Sequence, residues 1–338
     1  MKIQYQFLSL LLIVLMGCQK ESLVKVTAIP SVPFVWSYYI EGNSKIYAMA
    51  STIEDIYEEN SVIANNDNPL WEDDRFQINL RKGNLQLEQF KHFIYEDTTT
   101  ILDSRDGMPF EFDTISFTSR PALFNYYTHI PDSNIDQVGD IFDLSIQHPE
   151  FGDMSARQVM PLKVPLENAQ VLKIYNGPNG LYQADVQLTI KDLGNIPNYY
   201  QVAGAVIPSD DNGNLLIDDL DILPFEIGAD DPEIIDNENV LNRGAIYLAD
   251  TSFDGQEKTI NFWIDIGEPT LPENLYIIWR CISPEWYRFY EARRAAFDNT
   301  RINDNISNTL TQAYTLPFNI EGGYGLFGVA TQELYRLN

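Results

Sequence analysis

Between residues 181 and 190 the chain alternates strictly. Tyr182, Ala184, Val186, Leu188 and Ile190 are apolar, and Gln183, Asp185, Gln187 and Thr189 are polar. A period of two predicts a strand with one buried face. Residues 199–207 predict a partner strand, and 244–249 and 259–266 flank an Asp254-Gly255 turn as a hairpin. The unbroken apolar run 275–282 predicts a strand buried on both faces. Shorter strands are expected around 34–40, 46–50, 76–80, 110–117 and 140–146, separated by Gly, Pro, Asn and Asp. Either a helix or a loop fits 54–60 and 85–92. The period changes after Ile282, where Ser283-Pro284 supplies an N-cap and a proline for the first helical position. Trp286, Phe289, Tyr290 and Phe297 then share one face, which predicts a single amphipathic helix near 284–297 packed on a sheet. Arg293 falls on that face and is the best candidate for a buried or interfacial cation, snorkelling to the surface being the alternative.

The pattern therefore predicts a mostly β chain. Met160-Pro161 and Val164-Pro165 carry the prolines of a linker or edge strand. They close a first domain at 31–167, and a second β-sheet domain at 168–338 carries the helix.

The amino terminus has another character. Lys2 precedes an apolar stretch from Phe7 to Met16, and small Gly17 precedes Cys18, the layout of a secretory signal. Roughly ten apolar residues cannot cross a hydrocarbon core that needs about twenty. Leu15-Met16-Gly17-Cys18 resembles the lipobox of bacterial lipoproteins, which predicts a signal peptide over 1–17, acylation of Cys18 and a tether over 18–30. The alternative is an ordinary signal peptide with a chance cysteine. An acylated Cys18 anchors without a spanning segment, because each buried methylene contributes about 0.8 kcal/mol. Gln19-Lys20-Glu21 is similar to the charged tag that sends lipoproteins to the outer face of the outer membrane, and also fits a plain solvated tether.

Charge narrows the partners. Lys plus Arg number 22 against 49 Asp plus Glu, a net charge of -27. With no basic cluster to displace counterions, nucleic acid is excluded as a partner. The second cysteine, Cys281, lies in the apolar 275–282 run and reads as an inert buried thiol rather than a nucleophile.

Candidate chemistry is sparse. Asp210, Asn212, Asn214, Asp218 and Asp221 occupy positions one, three, five, nine and twelve of a calcium-loop pattern, with Ile217 at position eight. Leu215 replaces the turn glycine and Asp221 the bidentate glutamate, so a hairpin tip at Asn212-Gly213 is the competing reading. Gly323-Tyr324-Gly325-Leu326-Phe327-Gly328 matches a dinucleotide fingerprint in form only, since ten residues follow it and a βαβ unit cannot. It reads as a turn or bulge with close backbone packing. His92, His129 and His148 stand apart from nucleophile or metal motifs. The chain is expected not to be an enzyme, with no catalytic residue and no cofactor beyond calcium at the loop above.

The runs Asp-Ile-Phe-Asp-Leu-Ser-Ile at 140–146 and Val-Gln-Leu-Thr-Ile-Lys-Asp at 186–192 lead to Asn198, Tyr199 and Tyr200. With Met160-Pro161, Val164, Ile282-Ser283, Tyr287, Tyr290 and the closing Asn-Ile-Glu-Gly-Gly-Tyr-Gly-Leu-Phe-Gly at 319–328, they resemble an uncharacterised family of Bacteroidota outer-membrane lipoproteins, filed as a domain of unknown function. The resemblance is weakest over 53–109. It implies an immunoglobulin-like or transthyretin-like β-sandwich followed by a second β domain, and a gene neighbour encoding a TonB-dependent receptor. The expected function is thus an accessory subunit of a TonB-dependent nutrient transporter, lipid-anchored in the outer membrane, facing the exterior and handling an unidentified small ligand. A free-standing surface module or adhesin for glycans or peptides is the alternative, suggested by 12% aromatic residues on a β scaffold. An extracellular hydrolase is the remaining reading, and it requires a cleft with paired acids or a metal.

Overall fold

The computed structural model describes residues 32–53, 75–87, 89–92, 126–129, 137–178, 180–217, 222–231, 233–236, 244–302 and 316–338. All belong to one compact unit, Val32–Ile53 with Asp67–Asn338. The expected leader, Cys18, the expected tether, segment 54–60 and the strand expected at 110–117 lie outside the described residues.

Those residues are mostly strand, with one α-helix among them. The amino-terminal strands are β1 (Val32–Ile40), β2 (Lys45–Ile53), β3 (Gln77–Lys82), β4 (Leu85–Gln86), β5 (Lys91–His92) and β6 (Tyr126–His129). Next come β7 (Ile141–His148), β8 (Gly152–Val159), β9 (Leu166–Asn176), β10 (Tyr182–Lys191), β11 (Tyr199–Val206) and β12 (Leu223–Pro224). The last are β13 (Ile227–Gly228), β14 (Ile235–Asp236), β15 (Ile246–Ala249), β16 (Glu257–Asp265), β17 (Leu275–Ile282) and β18 (Tyr324–Arg336), with α1 (Pro284–Ile302) between β17 and β18.

A long central sheet runs β14-β15-β11-β17-β18-β1-β2-β6-β5, with β12 on β11. Two four-stranded sheets, β4-β3-β7-β8 and β13-β16-β10-β9, complete the set. Each small sheet buries its apolar face against one stretch of the central sheet. Ile78, Leu80, Phe142 and Leu144 meet Val35, Tyr39, Ile46, Phe327 and Val329 in one core. Ala184, Val186, Leu188 and Ile190, with Ile260, Phe262 and Ile264, meet Tyr200, Val202, Ile277 and Trp279 in the other. The architecture is thus of the β-sandwich type. The central sheet draws strands from both sides of residue 167, and β18 serves both cores, with Phe327 and Val329 in the first and Tyr335 packed against the second.

First and last strands are neighbours. β1 runs parallel to β18 from Phe34 opposite Tyr324 to Ile40 opposite Ala330. The approach explains the glycines of the closing motif: Gly325 has φ +124°, and a Cβ there would lie 1.7 Å from the Val35 carbonyl oxygen. Gly328 makes room for α1, since a Cβ would meet Trp286 at 2.7 Å. Ile40, Ile282, Leu326 and Ala330 receive Trp286, Tyr287 and Phe289 of the helix on the other face of the sheet.

Two pairings differ from expectation. The 199–207 strand is β11, which pairs β15 and β17 rather than β10. β10 has a single buried face and suits an outer sheet, whereas β11 is buried on both faces and suits the centre. The strands around Asp254-Gly255 likewise belong to different sheets, β15 to the central one and β16 to an outer one, so the turn joins layers and is not a hairpin. Segment 85–92 resolves into the short β4 and β5.

Candidate functional site

The crossings from outer to central sheet bring carboxylates together. Beyond β10 the chain turns through Asp192 to Asn198 and enters β11; beyond β15 it passes a short 3-10 turn, Asp250–Ser252, and reaches Asp254 and Gly255. Asp192 N–H donates to the Gln256 carbonyl (3.0 Å) and Asp250 N–H to the Asn198 carbonyl (3.2 Å). Gly194 and Gly255 pack backbone to backbone: Gly255 has φ +70°, and a Cβ there would lie 2.9 Å from Gly194 Cα. Only glycine fits.

This pinning gathers Asp192, Asp250 and Asp254, with one carboxylate oxygen of each within 4.8 Å of the others. Asp192 and Asp250 are buried and Asp254 is exposed. Asn198 is the hub. Its N–H donates to Asp250 Oδ2 (2.7 Å), and its Nδ2 contacts Asp192 Oδ1 (3.1 Å), Asp250 Oδ2 (3.4 Å) and the Leu193 and Ile196 carbonyls (3.2 and 2.7 Å). Gly255 N–H donates to Asp192 Oδ2 (2.8 Å) and Asn195 N–H to Asp254 Oδ1 (2.7 Å). The Tyr200 hydroxyl, whose ring stacks on Trp279, donates to Asp192 Oδ1. Burial, then that contact, pushes the Tyr200 phenol far above its ordinary value. Burial also holds the Asp250 carboxyl above the usual carboxylate range, aided by the charges of Asp192 and Asp254 and opposed by Asn198. Three hard oxygen donors of this kind can share a proton or hold a small hard cation, which takes six to eight oxygens and needs backbone carbonyls or water besides.

The sequence-derived calcium loop is arranged otherwise. Asp210 accepts from Asn212 N–H (2.9 Å), Asn214 N–H (2.8 Å) and Asn214 Nδ2 (2.9 Å). Asn214, by side chain and then backbone, holds the Asp210 carboxyl below its ordinary value, with Asn212 adding to it. Asp210 N–H bonds the Asn214 carbonyl (2.9 Å), Gly213 has φ +81° and Ser209 bridges Leu215, which is the hairpin tip at Asn212-Gly213. Asp218 and Asp221 lie outside the described residues.

Other candidates are placed as follows. Cys281 is buried, its Sγ accepts from Val164 N–H (3.2 Å), and burial pushes its thiol up to about 11. His148 is buried between Phe76 and Phe151, with Nδ1 accepting from the Glu150 and Phe151 N–H groups (3.2 and 3.4 Å). The side chains of His92, His129 and Phe297 lie outside the described residues. Arg293 is half-buried, while its neighbour Arg294 donates to the Ile234 carbonyl (2.6 Å). The buried arginine that sequence reading missed is Arg280, inside β17. It donates to Gln332 Oε1 (2.8 Å) and Gln201 Oε1 (2.9 Å), and Gln201 Nε2 reaches the Tyr247 hydroxyl (2.9 Å). These four polar side chains stand at one level across β18, β17, β11 and β15.

No curated protein matches the chain. The model of a domain of unknown function, DUF4249, matches residues 53–336, which include the three-aspartate site and most residues of both cores. The chain belongs to the DUF4249 family.

Proposed function

We propose that this protein is a lipid-anchored, outward-facing protein of the outer membrane that captures a ligand for a TonB-dependent transporter. The observation that carries the reading is the lipobox at Cys18 followed so soon by the folded body. Thirteen residues separate Cys18 from β1, which at full extension reach about 45 Å. Among the described residues no helix is long and apolar enough to cross a membrane; the attachment proposed is the lipid on Cys18. A capturing role also suits the sandwich body, in which the inner faces build two cores and the outward faces of the two small sheets are left for ligand. The same outer faces support the second reading, a free-standing surface binder.

The test is purification of the lipidated, carboxy-terminally tagged protein from gently solubilised outer membranes, with Cys18→Ala as control. A large barrel protein recovered in stoichiometric amount is the expected result. Recovery of the lipidated protein alone, in good yield, overturns the transporter-subunit reading.

A further inference from the structure

We infer that the aromatic patch at the start of β1, formed by Phe34, Trp36, Phe318 and Tyr324, seats the folded body on the bilayer surface, which rests on the Cys18 attachment proposed above and names the part of the body that meets the lipid.

Alternate residues of β1 point to the face of the central sheet that receives α1. Tyr38 stacks on Trp286 with ring centroids 4.0 Å apart, and Trp36 meets Phe289 edge-on at 4.7 Å. Phe34 stands one step further along the strand. Its ring neighbours are Trp36 at 6.0 Å and Phe318 at 6.2 Å, and Phe318 in turn meets Tyr324 at 5.3 Å. Cover thins in the same order. Trp286 and Phe289 are buried, Phe34, Trp36 and Phe318 are half-buried, and Tyr324 is 44% exposed.

The rings are held in place. Asn319 Nδ2 donates to the Phe327 carbonyl (2.7 Å), and Phe327 N–H donates to Asn319 Oδ1 (2.8 Å). Phe318 N–H donates to the Leu316 carbonyl (2.9 Å). These bonds tie segment 316–319 to β18 and fix Phe318 between Phe34 and Tyr324. Apolar surface fixed in water in this way marks a contact site for a partner or a membrane.

Where the chain enters decides between them. β1 begins at Val32, two residues before Phe34, and Pro33 lies against Gly323, where a Cβ would be 3.3 Å from Pro33 Cγ. Phe34 is directly opposite Tyr324. The chain from Cys18 therefore joins the body at the edge of the patch, with thirteen residues between. An acylated Cys18 confines the patch to within about 45 Å of the bilayer, and so short a link gives a weak second contact a high effective concentration. Tryptophan and tyrosine suit that contact, since each offers the headgroup layer an apolar ring with a polar edge. All four side chains are uncharged, and exposed Glu321 and Asp153 border them at the Gly322 turn. The net charge of -27 adds no attraction to a lipid surface, so the apolar contact seats the body.

The experiment is hydroxyl-radical footprinting on phosphatidylcholine vesicles, read residue by residue by mass spectrometry. One sample is the native lipidated protein, whose Cys18 peptide mass reports acylation. The other is the chain from Gln19 with an amino-terminal histidine tag, held on vesicles doped with a nickel-chelating lipid, and the same chain free in solution is the reference. On both kinds of vesicle the oxidation of Tyr324 and Phe318 is expected to fall about fivefold. Leu172 and Leu223, exposed at 52% and 64% in other parts of the body, are expected to keep their reference rates. Tyr324→Asp, which puts a charge at the most exposed ring, is expected to abolish the protection of Phe318; the wild-type footprint stands whether or not this variant folds. Equal oxidation of Tyr324 on vesicles and in solution, protection spread evenly over Leu172 and Leu223, or undiminished protection of Phe318 in a folded Tyr324→Asp overturns the inference. So does protection that appears in solution with rising concentration and a doubled mass in light scattering, which assigns the patch to a second copy. The anchor reads separately. Tyr324 protected on chelating vesicles while the native Cys18 peptide carries no acyl group sustains the seat and sinks the anchor, and an acylated protein with Tyr324 still exposed does the reverse.

Discussion

Two acidic turns use the same residue type to opposite effect. Asp210 sits at an exposed hairpin tip, where three N–H donors of its own turn saturate its carboxylate and pull its pKa down. Asp250 is buried beside Asp254, four residues on, and Asp192 from a distant part of the chain, and its pKa is pushed up. A carboxylate satisfied by local backbone is a turn-former. One crowded by like charges stores electrostatic free energy that a proton or cation can release.

Four changes break or sharpen that contrast. Asn198→Ala has the largest effect, because it strips donors from two buried carboxylates and leaves the Leu193 and Ile196 carbonyls unpaired; a loss of about 2–4 kcal/mol in urea unfolding is expected, whereas Asn214→Ala at the exposed turn changes little. Tyr200→Phe removes the hydroxyl donor to Asp192 and costs about 1.5–3 kcal/mol, the range for a bond to a charged group. Asp250→Asn, in buffer containing a chelator, stabilises by about 1 kcal/mol at neutral pH by removing one of three crowded like charges, and a lower thermal midpoint contradicts the crowding account.

The smallest effect is in pH dependence, and its signs are opposite at the two sites. With its folded pKa raised, Asp250 favours folding below its unfolded value near 3.8 and loses that contribution as pH rises through the folded value. With its folded pKa lowered, Asp210 favours folding above 3.8 and loses that contribution as pH falls through the folded value. Melting midpoints across the acid range are therefore expected to show Asp250→Asn gaining on wild type as pH rises, and Asp210→Asn gaining as pH falls.

The same contrast explains what the sequence disclosed. The Asp210 loop is a local pattern, as are the alternation of β10, the apolar run of β17 and the capped start of α1, so each was legible by periodicity or spacing. The three-aspartate site was not, because Asp192 and Asp250 follow strands of different sheets and meet only when the turns at Gly194 and Gly255 close on each other. Sheet membership was hidden for a related reason. β10 and β11 are consecutive, yet which sheet each joins depends on how many of its faces are covered, and no turn motif encodes that. The glycines of the closing motif did speak, as backbone contacts of β18 with β1 and of β18 with α1. The hydrogen-bonded row of Gln170, Gln187 and Asn261 was visible only as polar alternation around Gln187; its register across three strands came from strand pairing.

Capture for a transporter depends on where the body is held. Feeding growing cells an alkyne-bearing fatty acid, then treating intact cells with proteinase K, reads anchor and orientation together. The account predicts label on the wild-type protein, none on Cys18→Ala, and digestion of the labelled protein on unbroken cells. An unlabelled wild type, or a labelled one protected until the cells are opened, would contradict it.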